Sequence, residues 1–106
     1  MPPKNCPLGL ALRLLERKWV LGIIHELGGG PKRFSELEEA LEGVNSSVLS
    51  TRLKELEKEQ IIVRQVHTDT PPWAEYSLSE KGKSLFEALA PISNWANHWL
   101  DSERPC

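Results

Sequence analysis

Cysteine is scarce in this sequence, and its two copies are far apart. Cys6 and Cys106 lie near opposite ends of the chain. A small disulfide-stabilised secreted domain carries several paired cysteines, so that class is excluded. Neither cysteine has a His or Cys neighbour at the spacing of a zinc site. The three histidines, His25, His67 and His98, fall in separate segments, so we predict no metal site.

Long apolar runs and catalytic motifs are also missing. No run approaches the roughly 20 apolar residues of a membrane-spanning helix. No charged segment followed by an apolar stretch indicates a secretory signal, so we expect a cytoplasmic protein without a membrane partner. Gly28–Gly30 lacks the following Lys-Ser/Thr of a phosphate-binding loop and is typical of a helix stop. We therefore expect neither an enzyme nor a bound cofactor.

The charge is segregated along the chain although its net value is only −2. Residues 1–33 carry +4, residues 34–44 carry −4, residues 45–67 carry +1 and residues 68–106 carry −3. The total alone favours a mildly acidic protein with solvated faces. Because local potential steers a ligand more than total charge does, a nucleic-acid partner stays open. The length predicts one domain, residues 1–106, with a flexible arm at 1–5 and a flexible tail at 101–106.

Hydrophobic spacing predicts two helices, a short strand and a third helix in the first part of the chain. Pro7 suits the first position of a helix that ends near Arg17, and the second helix is predicted over residues 18–27. A one-rung strand at 33–34 is followed by a capping box of Ser35 and Glu38. The side chains expected to face inward on the third helix are Leu37, Ala40 and Leu41.

A fourth helix and a hairpin follow. Asn45 or Ser46 is the predicted N-cap, and Leu49, Leu53 and Leu56 repeat at the spacing of a buried helix face. Residues 60–66 alternate as a strand, residues 68–72 form a turn, and residues 73–78 form the return strand. Helices followed by one hairpin, without βαβ alternation, predict an α+β, mainly helical fold.

The polar face of the fourth helix is the strongest functional feature. At about 100° per residue, Ser47, Thr51, Lys54 and Lys58 lie opposite the leucines, and Val48 and Ser50 flank them. Their hydroxyls could bond base edges or phosphates. The first turn has no acidic residue, so the N–H groups of Ser47 and Val48 suit a phosphate. The alternative is an ordinary solvated face; the capped helix before and the hairpin after favour a winged helix-turn-helix.

An apolar stripe marks the C-terminal region. It is more apolar surface than a small domain can bury against itself, which indicates a partner. The predicted dimer interface in this region comprises Leu89, Ile92, Trp95, Ala96, Trp99 and Leu100. Pro91 cannot continue a helix undisturbed, so a kink or break is expected near residues 88–91.

Four segments together resemble the HxlR family of bacterial transcription regulators, relatives of the MarR-type winged-helix proteins. They are CPLGLALRLLERKW, GGGPKRFSELEEAL, VLSTRLKELEKEQIIVRQV and TPPWAEYSLSEKGKSL. The resemblance covers about residues 6–95 and implies a homodimer that binds double-stranded DNA, with dimerisation through the N- and C-terminal helices. This implication adds Leu8 and Leu12 of the first helix to the predicted dimer interface. It makes Ser46–Lys58 the recognition helix. The candidate DNA contacts, from the helix face and the resemblance together, are Lys32, Arg33, Ser46, Ser47, Val48, Ser50, Thr51, Arg52, Lys54 and Lys58.

The wing implied by the resemblance, residues 68–73, departs from the family pattern. Trp73 stands where family members often carry a basic residue after the double proline, and Asp69 is the only charge in the loop. Such a wing would rest against the DNA backbone or form a hydrophobic tip. Arg52 lies nearer the core side, where it could reach a phosphate or pair with a neighbouring glutamate.

The two cysteines are candidate redox-sensing residues. Cys6 matches the place where some family members carry a redox- or electrophile-sensing thiol, and a helix N-terminus and Lys4 would stabilise its thiolate. Cys106 of a second subunit could then be a resolving partner. The alternatives are a small buried Cys6 and an inert Cys106.

Three functions remain open from the sequence. The first is a DNA-binding regulator switched by an oxidant or electrophile at Cys6. The second is a regulator that responds to a small-molecule effector and has inert cysteines. The third is a winged-helix protein-interaction module that does not bind DNA.

Overall fold

The computed structural model describes residues 2–3 and 5–100 of the chain. Lys4, Cys106 and the predicted tail at 101–106 lie outside these residues. The described elements are α1 (Pro7–Leu15), α2 (Val20–Leu27), β1 (Lys32–Arg33), α3 (Phe34–Ala40), α4 (Ser46–Lys58), β2 (Ile62–His67), β3 (Trp73–Leu78) and α5 (Glu80–Trp99). The α+β, mainly helical winged helix-turn-helix predicted from the sequence is confirmed. No helix among the described residues is long and apolar enough to cross a membrane.

The three strands form one antiparallel sheet in the order β1-β3-β2. Ile62 pairs with Leu78 at its buried end, and His67 pairs with Trp73 next to the turn. β1 lies along the other edge of β3, with Arg33 opposite Glu75. Because side chains alternate along a strand, Arg33, His67, Trp73 and Glu75 share the face turned away from Ile62 and Leu78.

The core lies between α2, α3, α4 and the buried end of the sheet. Its fully buried side chains are aliphatic, as the helical spacing of Leu49, Leu53 and Leu56 predicted. At the start of α5 the backbone of Gly82 runs against the carbonyl oxygen of Ile61. Ser79 caps this helix through its hydroxyl, which accepts from Gly82 N–H at 3.1 Å, as predicted.

The start of α3 differs from the prediction. The helix begins at Phe34 with Arg33 as its N-cap, two residues before the predicted cap Ser35, and the Glu36 carboxylate accepts from the Arg33 N–H at 2.8 Å. The predicted capping box of Ser35 and Glu38 is therefore wrong. The pairing of Lys32 and Arg33 with β3 sets where the chain turns into the helix. Leu37 and Leu41 are buried as predicted, but Ala40, the last residue of the helix, is exposed rather than inward.

Two other predicted boundaries also differ. α2 begins at Val20 rather than Lys18, because Trp19 takes a left-handed conformation with φ of 77° and separates it from α1. Of the kink or break predicted near residues 88–91, the break is wrong, since α5 is continuous through Pro91. Proline removes one backbone donor, which leaves the Glu87 carbonyl unpaired. Both residues are exposed, so water can hydrate that carbonyl.

Arg17 links the end of α1 to α4. Its guanidinium donates to Glu55 at 2.9 Å and to Glu59 at 2.5 Å. The hydrogen bond to Glu59 raises the pKa of Arg17 above its ordinary value, and Glu55 adds to the effect. Arg52 extends the network by donating to the Lys18 carbonyl at 3.0 Å and to Glu55 at 3.3 Å. These contacts join a weakly packed N-terminal helix to the helix with the polar face.

Replacing Arg17 with Gln is expected to lower the free energy of unfolding by about 1 kcal/mol. Both ion pairs are lost, but the side chains are about one-third exposed, which limits the loss. Urea unfolding followed by circular dichroism measures the change. Arg13→Gln is the matched control, since Arg13 is exposed on α1 and makes no ion pair among the described residues. Equal midpoints for the two variants would contradict the role of the Arg17 pairs.

Candidate nucleic-acid interface

The N-terminus of α4 is capped by Asn45. Its side-chain oxygen accepts from the Ser47 N–H at 2.8 Å and from the Val48 N–H at 3.4 Å. The prediction that an asparagine or serine caps this helix is confirmed, with Asn45 in that role. The two N–H groups expected to be available for a phosphate are already paired, so that expectation is corrected. The helix end is therefore rigid rather than open.

The outward face of α4 is polar and accessible. Ser46, Ser47, Thr51, Lys54 and Lys58 are all exposed, while the leucines on the other side are fully buried. The Thr51 hydroxyl donates to the Ser47 carbonyl at 2.9 Å, which leaves its oxygen able to accept. The structure thus presents these predicted contacts together on one surface of one helix.

The remaining predicted contacts on α4 are more enclosed. Val48 and Ser50 are half-buried at the edges of the face. Arg52 is engaged with Lys18 and Glu55, so of its two predicted alternatives the pairing with a glutamate is the one observed. The Ser46 hydroxyl donates to the Glu38 carboxylate of the preceding helix. The accessible face of α4 therefore contains fewer residues than the full set of predicted DNA contacts.

Trp73, at the base of the wing, is packed rather than projecting. Its indole N–H donates to the Asp69 carboxylate at 2.9 Å. The His67 ring stacks on it with 3.9 Å between centroids, and the Arg33 guanidinium lies 3.8 Å from its ring centroid. The sequence pattern did not predict this stack. It could have been found from the strand register, which places Arg33 and Trp73 diagonally across β1 and β3.

Lys32 and Arg33 differ in their surroundings. Lys32 is half-buried on β1, whereas Arg33 is exposed at the start of α3. His67 closes the other side of the stack, with its Nε2 3.1 Å from a Glu75 carboxylate oxygen. The predicted basic pair is thus present at the junction of α3 and the sheet, with the guanidinium held by Trp73.

Cys6 is the N-cap of α1. Its Sγ accepts a hydrogen bond from the Gly9 N–H at 3.2 Å, and the side chain is half-buried. Space around it is tight: a Cβ added at Gly9 would lie 2.1 Å from the Pro3 carbonyl oxygen and 3.4 Å from Sγ. The first turn of α1 is therefore closely packed against the Pro3 carbonyl beside Cys6. Cys106, its predicted partner, lies outside the described residues.

The predicted dimer residues on α1 and α5 include several large apolar side chains that are exposed. The exposed fractions are 61% for Leu8, 60% for Ile92, 56% for Trp95 and 70% for Trp99. Leu100 is also exposed, whereas Leu12, Leu89 and Ala96 are half-buried. Leu10, which the sequence analysis did not select, is also 58% exposed.

Two clefts flank Phe86, on the side of α5 that faces α2. One has a volume of about 540 Å³ and lies between the end of α2, β3 and α5, with Leu27, Leu78 and Lys83 in its walls. The other, of about 260 Å³, is lined by His25 and the polar residues of the later turns of α5. Within the described residues, no three His, Cys, Asp or Glu side chains are grouped closely enough to hold a metal ion.

Comparison with known proteins decides the family. The family model described as the HxlR-like helix-turn-helix matches residues 14–104. The chain belongs to the HxlR family. The sequence resemblance is thereby confirmed, and the protein is a helix-turn-helix transcription regulator rather than an enzyme.

Several HxlR-type and MarR-type regulators are similar over nearly the whole chain. The uncharacterised regulator YvaP of Bacillus subtilis is 47% identical, with coverage of 86% of this chain and 84% of that protein. The reduced form of YodB from B. subtilis is 39% identical with a TM-score of 0.79, covering 91% of this chain and 95% of that one. The redox regulator HypR in its oxidised form is 30% identical with a TM-score of 0.82, covering 92% and 100%.

Proposed function

We propose that this HxlR protein is a sequence-specific, double-stranded DNA-binding regulator that acts as a homodimer and is switched by modification of Cys6. The observation that carries the proposal is α4. Its apolar side is fully buried, and its hydroxyl- and lysine-bearing side is exposed at the position of a recognition helix. Hydroxyls can read base edges, and the lysines Lys54 and Lys58 neutralise phosphates. Chromosomal DNA as the target implies action in the cytoplasm.

The exposed apolar surface of α1 and α5 supports the homodimer. Aromatic side chains such as Trp95 and Trp99 are typical of interface cores. A two-fold dimer would present two copies of α4 to successive major-groove segments, which a single α4 cannot do. A change in the packing of α1 and α5 then alters the separation of the two recognition helices.

The geometry of Cys6 supports a thiol switch. The sulfur is the helix cap, so modification changes the acceptor of the Gly9 N–H and adds bulk beside the closely packed first turn of α1. The result would be a shift of population between two arrangements of α1 at the dimer seam. Two relatives point the same way: YodB was solved in reduced, diamide-treated and quinone-bound forms, and HypR is named a redox regulator.

The DNA-binding part is tested with a duplex that covers the region upstream of the protein's own coding sequence. Lys54→Gln is expected to weaken binding and to reduce the slope of log affinity against log salt by about 1.8, because each of the two subunits loses one phosphate contact worth about 0.9. Lys83→Gln is the matched control, because Lys83 lies on α5 away from α4. Fluorescence anisotropy at several salt concentrations gives both quantities. Equal slopes for the two variants would contradict the assignment of α4.

The thiol switch is tested on the same duplex with diamide or a benzoquinone. The wild type is expected to lose affinity after treatment, while Cys6→Ser keeps its affinity because a serine hydroxyl still caps α1 but is not oxidised or alkylated. A mobility shift combined with mass spectrometry measures binding and modification together. If Cys6→Ser responds as the wild type does, the switch lies elsewhere.

A small-molecule-responsive regulator with inert cysteines is the second candidate. The cleft of about 540 Å³ beside Phe86 is the observation that favours it, since clefts of this size hold small ligands. It touches α5, the predicted dimerisation helix, so a ligand there could shift the same packing. An intact effector response in Cys6→Ser, lost in Phe86→Trp with its larger ring, would favour this candidate.

A further inference from the structure

The wing of this protein lacks a cation at the place where a winged helix contacts the DNA backbone. The turn between β2 and β3, residues 68–72, contains one charged residue, Asp69, and its charge is negative. A bare carboxylate there would repel a phosphate. The turn therefore needs either a cation from elsewhere or no phosphate contact at all.

Arg33 is the cation that the fold brings to the wing. It is the last residue of β1 and the N-cap of α3, so it belongs both to the sheet and to the first helix of the helix-turn-helix pair. Those two elements are the ones that approach the DNA backbone on either side of a recognition helix. Its backbone is fixed twice, by pairing with β3 and by the bond of its N–H to Glu36.

The side chain of Arg33 is fixed as well, by Trp73. Its guanidinium carbon lies 3.8 Å from the indole centroid, while His67 stacks on the indole at 3.9 Å. β3 is the middle strand, so Arg33 on β1 and His67 on β2 approach Trp73 from opposite sides. A guanidinium stacked on an aromatic face keeps its N–H donors at its edge. Among the described residues, no ion pair or side-chain hydrogen bond uses those donors.

The indole also engages the acidic residue of the turn. Its N–H donates to the Asp69 carboxylate at 2.9 Å, which ties that carboxylate to Trp73. One side chain thus holds both the cation and the anion of the wing region. A preformed arrangement matters because an unrestrained arginine loses rotamer freedom when it binds a phosphate.

We propose that Trp73 is a positioning residue that holds Arg33 as the phosphate-contacting cation of the wing. Arg33 makes the contact with the DNA backbone, and Trp73 acts only through it. This inference rests on the proposed DNA-binding function. It assigns to a tryptophan in the wing a part in DNA affinity without any contact between that tryptophan and DNA.

A double-mutant cycle on the upstream duplex tests the assignment. Arg33→Gln is expected to weaken binding and to reduce the salt slope by about 1.8, about 0.9 for the phosphate contact of each subunit. Trp73→Leu is expected to weaken binding roughly three- to tenfold through loss of the aromatic surface, whereas Trp73→Phe, which keeps it, stays within about twofold of the wild type. In the Arg33→Gln background, Trp73→Leu is expected to have no further effect. The control is the combination of Lys54→Gln with Trp73→Leu. The losses of binding free energy from these two substitutions should add, because Lys54 lies on α4 and is not held by Trp73.

Arg33 also offers a readout that needs no DNA. In the wild type the side-chain N–H and Cδ proton signals of Arg33 are expected upfield, since ring currents shield protons above an indole, and Trp73→Leu should return them to ordinary positions. Normal shifts in the folded wild type would overturn the proposal. This measurement also shows whether each variant is folded.

The possible results distinguish a failure of the proposed DNA binding from a failure of the role assigned to Trp73. No salt-dependent binding of the wild type to the duplex would overturn the proposed function and this inference with it. Wild-type binding with an equal loss from Trp73→Leu in both backgrounds would overturn only the inference, because Trp73 would then act independently of Arg33. Loss confined to the background that keeps Arg33 supports it.

Discussion

Replacing Gly82 with alanine is expected to lower the free energy of unfolding by about 2–3 kcal/mol and the Tm by roughly 10–20 °C. The sign is opposite to the usual one, since alanine in place of glycine inside a helix normally stabilises by about 1 kcal/mol. Here the new Cβ would lie 2.1 Å from the Ile61 carbonyl oxygen and 3.1 Å from Leu78 Cδ2. Two rigid backbone segments meet at this point, so no side-chain rotation relieves the collision.

The Ile61 carbonyl has little freedom to move aside. It accepts from the backbone N–H and from the hydroxyl of Ser79, each at 3.0 Å. A shift of α5 away from β2 would break both bonds and lift Leu78 from the core. Thermal unfolding by calorimetry measures the effect. Gly29→Ala is the matched control, because its nearest new contact is 3.5 Å away and its Tm should stay within about 2 °C of the wild type. Equal Tm values for the two variants would contradict the close approach.

Replacing Trp95 with aspartate is expected to convert the proposed dimer to a monomer. A charge would be buried without a partner in the centre of an apolar interface, which penalises association by several kcal/mol and raises the dimer dissociation constant more than a hundredfold. Size-exclusion chromatography with light scattering should show a mass near that of one chain, 12.0 kDa, where the wild type shows two. DNA affinity should fall as well, since a monomer presents one α4.

Asn94→Asp is the matched control for this change. It introduces the same charge one residue away, on the side of α5 that lines the cleft near His25 rather than the apolar surface. It should remain a dimer. Far-UV circular dichroism distinguishes dissociation from unfolding, since Trp95 is 56% exposed in the single chain and its loss should leave the fold intact. A dimeric, folded Trp95→Asp would place the interface elsewhere.

Local patterns predicted the elements of this protein well, because they depend on neighbours a few residues apart. The leucines Leu49, Leu53 and Leu56 are buried as their spacing indicated, and the strand Trp73–Leu78 has the predicted bounds. The Asn45 cap and the exposed face of α4 follow from the same short-range rules. The family resemblance placed that helix among the functional elements.

The contacts that join the elements could not be predicted in this way. Arg17 meets Glu55 and Glu59, which are 38 and 42 positions away, and the sequence offers many other glutamates at similar distances. The stack of Arg33 on Trp73 needs the sheet order as well as the residues. The start of α3 was misplaced because strand pairing overrode a local capping signal, and the break predicted from the local effects of Pro91 did not occur.

The continuity of α5 has a mechanical consequence. The 20 residues of the helix form a rod about 30 Å long that is clamped near one end, where Gly82 and Phe86 meet the body of the protein. Trp99 lies about 20 Å beyond Phe86 along this rod, so a tilt of roughly 10° at the clamp would carry it sideways by about 3 Å. The proposed dimer contact therefore lies at the end of the helix that is farthest from its point of attachment. A small tilt of α5 beside Phe86 becomes a larger displacement at this contact, whereas a helix broken at Pro91 would not transmit the tilt.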